Sequence, residues 1–180
     1  MYVNPAAYSF TADLEANWLS IRQELLGISR DNFMEWPQKF LYESGWHVFG
    51  LYALGKKMNE NCAWCPETTR VVERVAGLVT AGFSWMEPGT HIKPHVGYSK
   101  AVHRCHLGLV IPNDCPLRVG HEIRSWAEGK TLIFDDTTEH EAWNRSSSIR
   151  VVLLLDFARP EQIETVIAQD QMQKAASGPR

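Results

Sequence analysis

The stretch Ser84-Trp-Met-Glu-Pro-Gly-Thr-His-Ile-Lys-Pro-His-Val-Gly97 opens the part of the chain that decides its fold. It is followed by Val102-His-Arg-Cys-His-Leu-Gly-Leu-Val-Ile111, Thr131-Leu-Ile-Phe-Asp-Asp-Thr-Thr-Glu-His140 and Ile149-Arg-Val-Val-Leu-Leu-Leu-Asp156. These are short runs rich in β-branched and aliphatic residues, which fit a pleated, half-buried surface. Working outward, strands are predicted at 78–86, 91–97, 102–111, 117–119, 121–126, 131–134, 140–144 and 149–157. Pro88-Gly89, Pro112-Asn113, Glu128-Gly129 and the polar run 144–148 supply turn chemistry between them. No helical segment of crossover length separates these strands, so a parallel α/β sheet is not expected. A mainly β sandwich, jelly roll or closed barrel is.

Ahead of this region, Thr11 to Gly27 carries Leu14, Trp18, Ile21 and Leu25 at helical spacing, with Thr11 as the expected cap. Residues 34–38 read as a loop around Pro37, and Trp46 to Leu54 as one strand or two. Asn61 to Arg74 reads as a short helix entered at Pro66. Beyond Pro160, a terminal helix is expected at 161–174. The whole chain, 1–180, reads as a single domain: a helical part at 1–45, a core barrel at 46–160 and the terminal helix.

The 180 residues carry a net charge of −3, with 44% hydrophobic and 22% charged residues. That balance suits a globular protein and offers no basic stripe for nucleic acid. No apolar run reaches the ~20 residues of a membrane span. Residues 1–10 lack the basic and apolar regions of a signal peptide, so a cytoplasmic location is expected. Cys62-Ala-Trp-Cys65 stands alone, without a second pair or histidines at finger spacing, and Cys105 and Cys115 lie far away. All four are expected to be reduced, structural thiols. Trp64, Trp85 and Trp143 are expected in the core.

Three groups of residues suggest chemistry. His95 and His140 lie at strand ends, where two distant histidines can share one metal. A facial triad would place a carboxylate two residues after the first histidine, and that position is Gly97. Water, His91 or Asp136 is then left to complete the set. The competing reading is two unrelated histidines. Arg150 enters an apolar strand, and its planar fork requires an anion. Asp156, Asp135 and Glu139 are candidate partners within the chain, and a bound dicarboxylate, helped by the Ser84 hydroxyl, is the alternative. Arg104 and His106 share a strand face with Gly108, whose missing side chain leaves room for a ligand. They would suit a second carboxylate, or else form a surface salt bridge and a core hydrogen bond. His47, alone in its strand, reads as a half-buried, hydrogen-bonded histidine.

Taken together, Pro88-Gly-Thr-His-Ile-Lys-Pro-His-Val-Gly97, Arg104-Cys-His-Leu-Gly-Leu-Val-Ile-Pro112, Trp126 to Asn144 and Arg150 to Asp156 resemble the aspartyl/asparaginyl β-hydroxylase family. Asn61-Cys-Ala-Trp-Cys-Pro-Glu-Thr-Thr-Arg70 resembles the segment preceding the barrel in bacterial members. The resemblance implies a double-stranded β-helix, the jelly-roll or cupin-like barrel, that uses Fe(II), 2-oxoglutarate and O₂. It implies iron on His95 and His140, with water in place of a ligand at Gly97. It implies the distal carboxylate of 2-oxoglutarate on Arg150 and Ser84, with His106 near the cosubstrate and Arg104 near the substrate carboxylate. Asp136 is then expected to anchor the metal-bound water, and His91 to stand beside the ligands.

Eukaryotic members carry a repeat-containing region ahead of the barrel, and the stretch ahead of the barrel here is too short for such an array. A free amino acid, a carrier-bound aminoacyl group or a peptide is therefore the expected substrate, hydroxylated at the β-carbon of an aspartyl, asparaginyl or related unit. Two other classes remain at this point. One is a cupin-like dioxygenase or isomerase holding its metal on His91, His95 and His140 without 2-oxoglutarate. The other is a non-catalytic barrel that binds a small acid.

Overall fold

The computed structural model describes residues 1–163. In chain order the strands are β1 (Tyr2–Val3), β2 (Met34–Glu35), β3 (Trp46–Ala53), β4 (Lys56–Lys57), β5 (Leu78–Met86) and β6 (His91–His95). They continue as β7 (Val102–Val110), β8 (Pro116–Val119), β9 (Glu122–Ser125), β10 (Thr131–Phe134), β11 (His140–Trp143) and β12 (Arg150–Ala158). The α-helices are α1 (Phe10–Ala16), α2 (Trp18–Gly27), α3 (Asn59–Trp64) and α4 (Pro66–Val72).

The apolar run Val151 to Leu155 explains how these elements are layered. A strand buried on both faces reads as continuously hydrophobic, and every residue of β12 is buried. β12 lies inside a large antiparallel sheet ordered β1-β10-β7-β12-β5-β3-β2, with β4 paired to β3. Val151, Leu153, Leu155 and Phe157 face one side, where they join Leu107 and Phe83 in a core with Leu14, Ile21 and Leu25 of the N-terminal helices and Val71 and Val72 of α4. Val152 faces the other side and joins Met86 and Phe134. Across from them pack Ile92, Leu117 and Ala142 of a second antiparallel sheet, ordered β6-β11-β8-β9. The result is a mainly β jelly roll with its helices on the back of the large sheet.

The eight strands expected between 78 and 157 all form, each within two residues of its expected ends. The N-terminal helix differs: it breaks at Asn17, whose side-chain amide donates to the Asp13 carbonyl at 2.7 Å and ends α1 there. Thr11 is not its cap but lies inside α1, its hydroxyl donating back to Tyr8 O and Pro5 O. The helix expected to open at Pro66 forms as α4, and a further short helix, α3, precedes it. The loop at 34–38 contributes a two-residue strand paired with β3. The helix expected at 161–174 lies outside the described residues, apart from a 3₁₀ turn at Pro160–Gln162. All four cysteines are free and buried. Trp64 is not core: it is 57% exposed on the short helix α3. His47 is buried outside the cavity described next, and its Nδ1 has no hydrogen-bond partner.

Candidate metal and carboxylate site

Strand register gathers the site. Residues directly opposite one another in an antiparallel pair share a face. On the cavity side of the large sheet, Arg150 lies opposite Met86, Val152 opposite Ser84, Leu154 opposite His106, and Asp156 opposite Arg104. One face therefore carries Ser84, Arg104, His106 and Arg150. The second sheet places His140 of β11 opposite His95 of β6. These residues line one cavity together with Trp46, Trp126, Phe134 and Leu154.

The two histidine rings lie 4.2 Å apart between centroids. His95 Nδ1 bonds to the Lys93 carbonyl at 2.7 Å, and His140 Nδ1 to the Thr138 carbonyl at 2.9 Å. A carbonyl only accepts, so each Nδ1 carries the proton and each Nε2 presents a lone pair. This is the arrangement that fixes a metal-binding histidine. Burial, with the neighbouring ring, holds His140 neutral, its pKa down to about 3. Burial also lowers the pKa of His95.

Asp136 is fully buried beside them, with Oδ1 3.4 Å from His140 Nε2 and 2.9 Å from Arg104 Nη1. Its carboxylate occupies the space that a side chain at position 97 would need, since a Cβ on Gly97 would collide with it. The acid missing from position 97 is thus replaced in volume by an acid from the loop after β10. Asp136 is a carboxylate beside His140 Nε2, which suits an anchor for metal-bound water. The residues present fit a divalent metal held by two neutral imidazoles.

His91 does not join this set. Alternation along β6 would put His91 on the face of His95, but β6 carries an extra residue between Ile92 and His95 relative to β11. Such a bulge re-aims the side chains around it. Ile92 and His95 both point into the cavity. His91 points out, stacks on Trp143 and bonds Glu141 at 3.0 Å. The His91–His95–His140 triad is therefore not formed. Among the described residues, no group of three or more His, Cys, Asp or Glu side chains is placed to hold a metal.

Arg150 is 1% exposed. Each carboxylate considered for it is engaged elsewhere: Asp156 by Arg104, Asp135 by Arg159 and Glu139 by Arg118. Its Nη1 donates to Ser84 O at 3.1 Å and Ser84 Oγ at 3.3 Å, its Nη2 contacts Met86 Sδ, and its guanidinium lies 4.6 Å over the Trp126 ring. Its Nε has no hydrogen-bond partner among the described residues. Burial lowers its pKa to about 10, which leaves it charged at neutral pH. A buried cation without a carboxylate is costly, and the cavity in front of it is where an anion fits.

Arg104 is different. It grips Asp156 through Nε at 2.7 Å and Nη2 at 3.0 Å, in addition to Asp136. Burial opposes its charge, but the two carboxylates hold its pKa above the usual range. The surface salt bridge considered for it is instead a buried one. Gly108 also has a different role from the one expected: its missing side chain admits the Ala127 carbonyl, not a ligand. Trp46 and Trp126, which border the cavity, carry no periodic or motif signal as functional residues. Only the pairing of their strands and loop with Ser84 and His106 reveals them.

Fold and site define a jelly-roll protein with two metal-ready histidines beside an unpaired buried arginine. The chain belongs to the aspartyl/asparaginyl β-hydroxylase family: the family model described as Aspartyl/Asparaginyl beta-hydroxylase matches residues 15–160. It is 37% identical over 166 residues to the ornithine lipid ester-linked acyl 2-hydroxylase of Rhizobium tropici, covering 86% of this chain and 59% of that protein. It is 38% identical over 157 residues to the aspartyl/asparaginyl beta-hydroxylase of Mus musculus, covering 82% of this chain and 21% of that protein. The chain thus spans about three-fifths of the first relative and about a fifth of the second. Among solved structures, a Pseudomonas putida prolyl-4-hydroxylase matches with TM-score 0.48 and 14% identity, over 82% of this chain and 87% of that one.

Proposed function

We propose that this chain is an Fe(II)- and 2-oxoglutarate-dependent hydroxylase. His95 and His140 would hold the iron, and Arg150 with Ser84 would hold the distal carboxylate of 2-oxoglutarate. The observation that carries this reading is Arg150, fully buried and charged with no carboxylate partner among the described residues. A mechanism without a dicarboxylate cosubstrate gives that cation no role. When bound, the iron supplies the activation of O₂, one oxygen atom going to the substrate C–H bond and the other to succinate as 2-oxoglutarate loses CO₂.

The chain's own residues orient and enclose. The carbonyls of Lys93 and Thr138 keep the protons on the two Nδ1 atoms and leave both Nε2 lone pairs free for a metal. Asp136 accepts from a water in the position that Gly97 leaves without a ligand. Phe134, Leu154, Ile92 and Leu117 line the cavity and keep bulk water from it. The substrate proposed from the family likeness is an aspartyl, asparaginyl or related amino-acid unit, free, carrier-bound or in a peptide, hydroxylated at its β-carbon. A second substrate reading is an acyl chain, as the name of the Rhizobium relative describes for that protein. It is favoured by Arg104, whose fork is already filled by Asp156 and Asp136 and so is not open to a substrate carboxylate.

The test uses the protein with Fe(II) and 2-oxoglutarate under anaerobic conditions. A visible charge-transfer band is expected, and Arg150→Ala should weaken cosubstrate binding by roughly 100-fold, as for loss of a buried, hydrogen-bonded charge. Absence of the band from folded, iron-loaded protein would leave a small-acid-binding barrel as the better reading. Succinate release with peptide and acyl substrates separates the two substrate readings.

A further inference from the structure

Two cavity side chains can either donate or accept hydrogen bonds, and in each case an indole has settled which. Trp126 Nε1 donates to His106 Nδ1 at 3.2 Å. An indole N–H is only a donor, so Nδ1 must carry the lone pair and His106 must hold its proton on Nε2. That Nε2 is buried, belongs to a residue lining the cavity and has no hydrogen-bond partner among the described residues. The polarity is opposite to that of His95 and His140, whose Nδ1 atoms are protonated by their carbonyl contacts. Ser84 repeats the pattern. Its Oγ accepts from Trp46 Nε1 at 3.0 Å and from Arg150 Nη1 at 3.3 Å. A hydroxyl has two lone pairs, and with both taken its own proton is left to donate.

We propose that Trp126 and Trp46 are positioning residues that commit His106 and Ser84 to donating into the cavity. Together with Arg150 they make its deep end a donor-only cage, which accepts an anion and rejects any group that must itself donate. Trp126 acts twice, since its ring also lies under the Arg150 guanidinium. The naming of the anion as 2-oxoglutarate rests on the function proposed above, but the polarity of the cage does not.

The experiment has two readouts. Nitrogen-15 NMR of the metal-free protein reports the tautomer of His106 directly. The wild type should show a protonated Nε2 and an unprotonated Nδ1, and Trp126→Phe should show a mixture. Titration with 2-oxoglutarate and with its 5-carboxamide, under anaerobic Fe(II), then reports selectivity. Wild type should prefer the carboxylate, and Trp126→Phe or Trp46→Phe should each bind 2-oxoglutarate ~10- to 100-fold more weakly, the scale of one charge-assisted hydrogen bond. Trp46→Phe should also narrow the preference over the amide. A wild-type His106 protonated on Nδ1 would overturn the proposal without any variant. So would a Trp126→Phe protein with the wild-type tautomer and unchanged binding. If the wild type shows the Nε2–H tautomer and the variant loses it, yet neither ligand binds, the cage stands and the cosubstrate assignment fails.

Discussion

At the scale of single residues, the site is governed by which polar atoms lack partners. His95 and His140 are neutral, and each has its second nitrogen fixed by a backbone carbonyl. Replacing either by alanine should abolish succinate formation and leave the unfolding midpoint of the metal-free protein within a few degrees. Normal turnover in either variant would remove the metal assignment. Gly97 and Asp136 share one volume, because a side chain at 97 collides with the Asp136 carboxylate. Gly97→Ala should therefore destabilise the protein by about 1–3 kcal/mol, the usual cost of overpacking. In Asp136→Gly the same change at 97 should cost much less. A thermal-unfolding double-mutant cycle reads this coupling, and additive effects would show that the two positions do not compete for space.

At the scale of elements, the bulge in β6 and the turn before β12 fix the geometry. The bulge brings Ile92 and His95 to the cavity side and sends His91 outward, where it pairs with Glu141 and Trp143. The turn between β11 and β12 is tied by Asn144, which is fully buried. Its amide donates to Met86 O, Glu87 O and Ser148 O, and its carbonyl oxygen accepts from Ser146. These bonds link the strand of His140 to the start of the strand of Arg150. Asn144→Ala removes these bonds, though Glu87 O keeps the Thr90 N–H and Ser148 O keeps the Ser146 hydroxyl, and should cost roughly 1–2 kcal/mol in denaturant unfolding. The same variant should bind 2-oxoglutarate more weakly, because Arg150 follows this turn. Wild-type stability in the variant would show that water replaces the amide without loss.

For the molecule as a whole, burial of the histidines at the site couples stability to pH. Burial lowers the pKa of His140 from 6.5 to about 3, and lowers His95 and His106 in the same direction. The folded state then binds fewer protons than the unfolded state below pH 6.5. The stability these groups contribute is fully present above that value and is lost as pH falls toward 3. Chemical denaturation of the metal-free protein at a series of pH values should show this decline beginning near pH 6.5. A flat profile down to pH 5 would mean that the three rings are solvated. Paired acids such as Asp135, lowered chiefly through Thr137 and Arg159 against the effect of burial, add loss at lower pH.

Much of this arrangement is written locally. Period-two alternation placed eight strands, and it put Arg104 and His106 on one shared strand face and Arg150 on the face of Val152 and Leu154, because side-chain direction alternates along an unbulged strand. The two histidines were legible only as residues at strand ends, and the arginine as a charge inside an apolar strand, each with a competing structural reading. The sequence carries these as types and spacings, whereas partner choice is a matter of register between strands far apart in the chain. Tertiary structure alone decided that Arg104 is saturated by Asp156 and Asp136 while Arg150 is left without a carboxylate. It also decided that Gly97 makes room for Asp136, that one extra residue in β6 turns His91 away, and that two indoles set the polarity of His106 and Ser84. Parity fixes which way a side chain points only where a strand runs without a bulge, and only the paired neighbour across the sheet fixes what it meets.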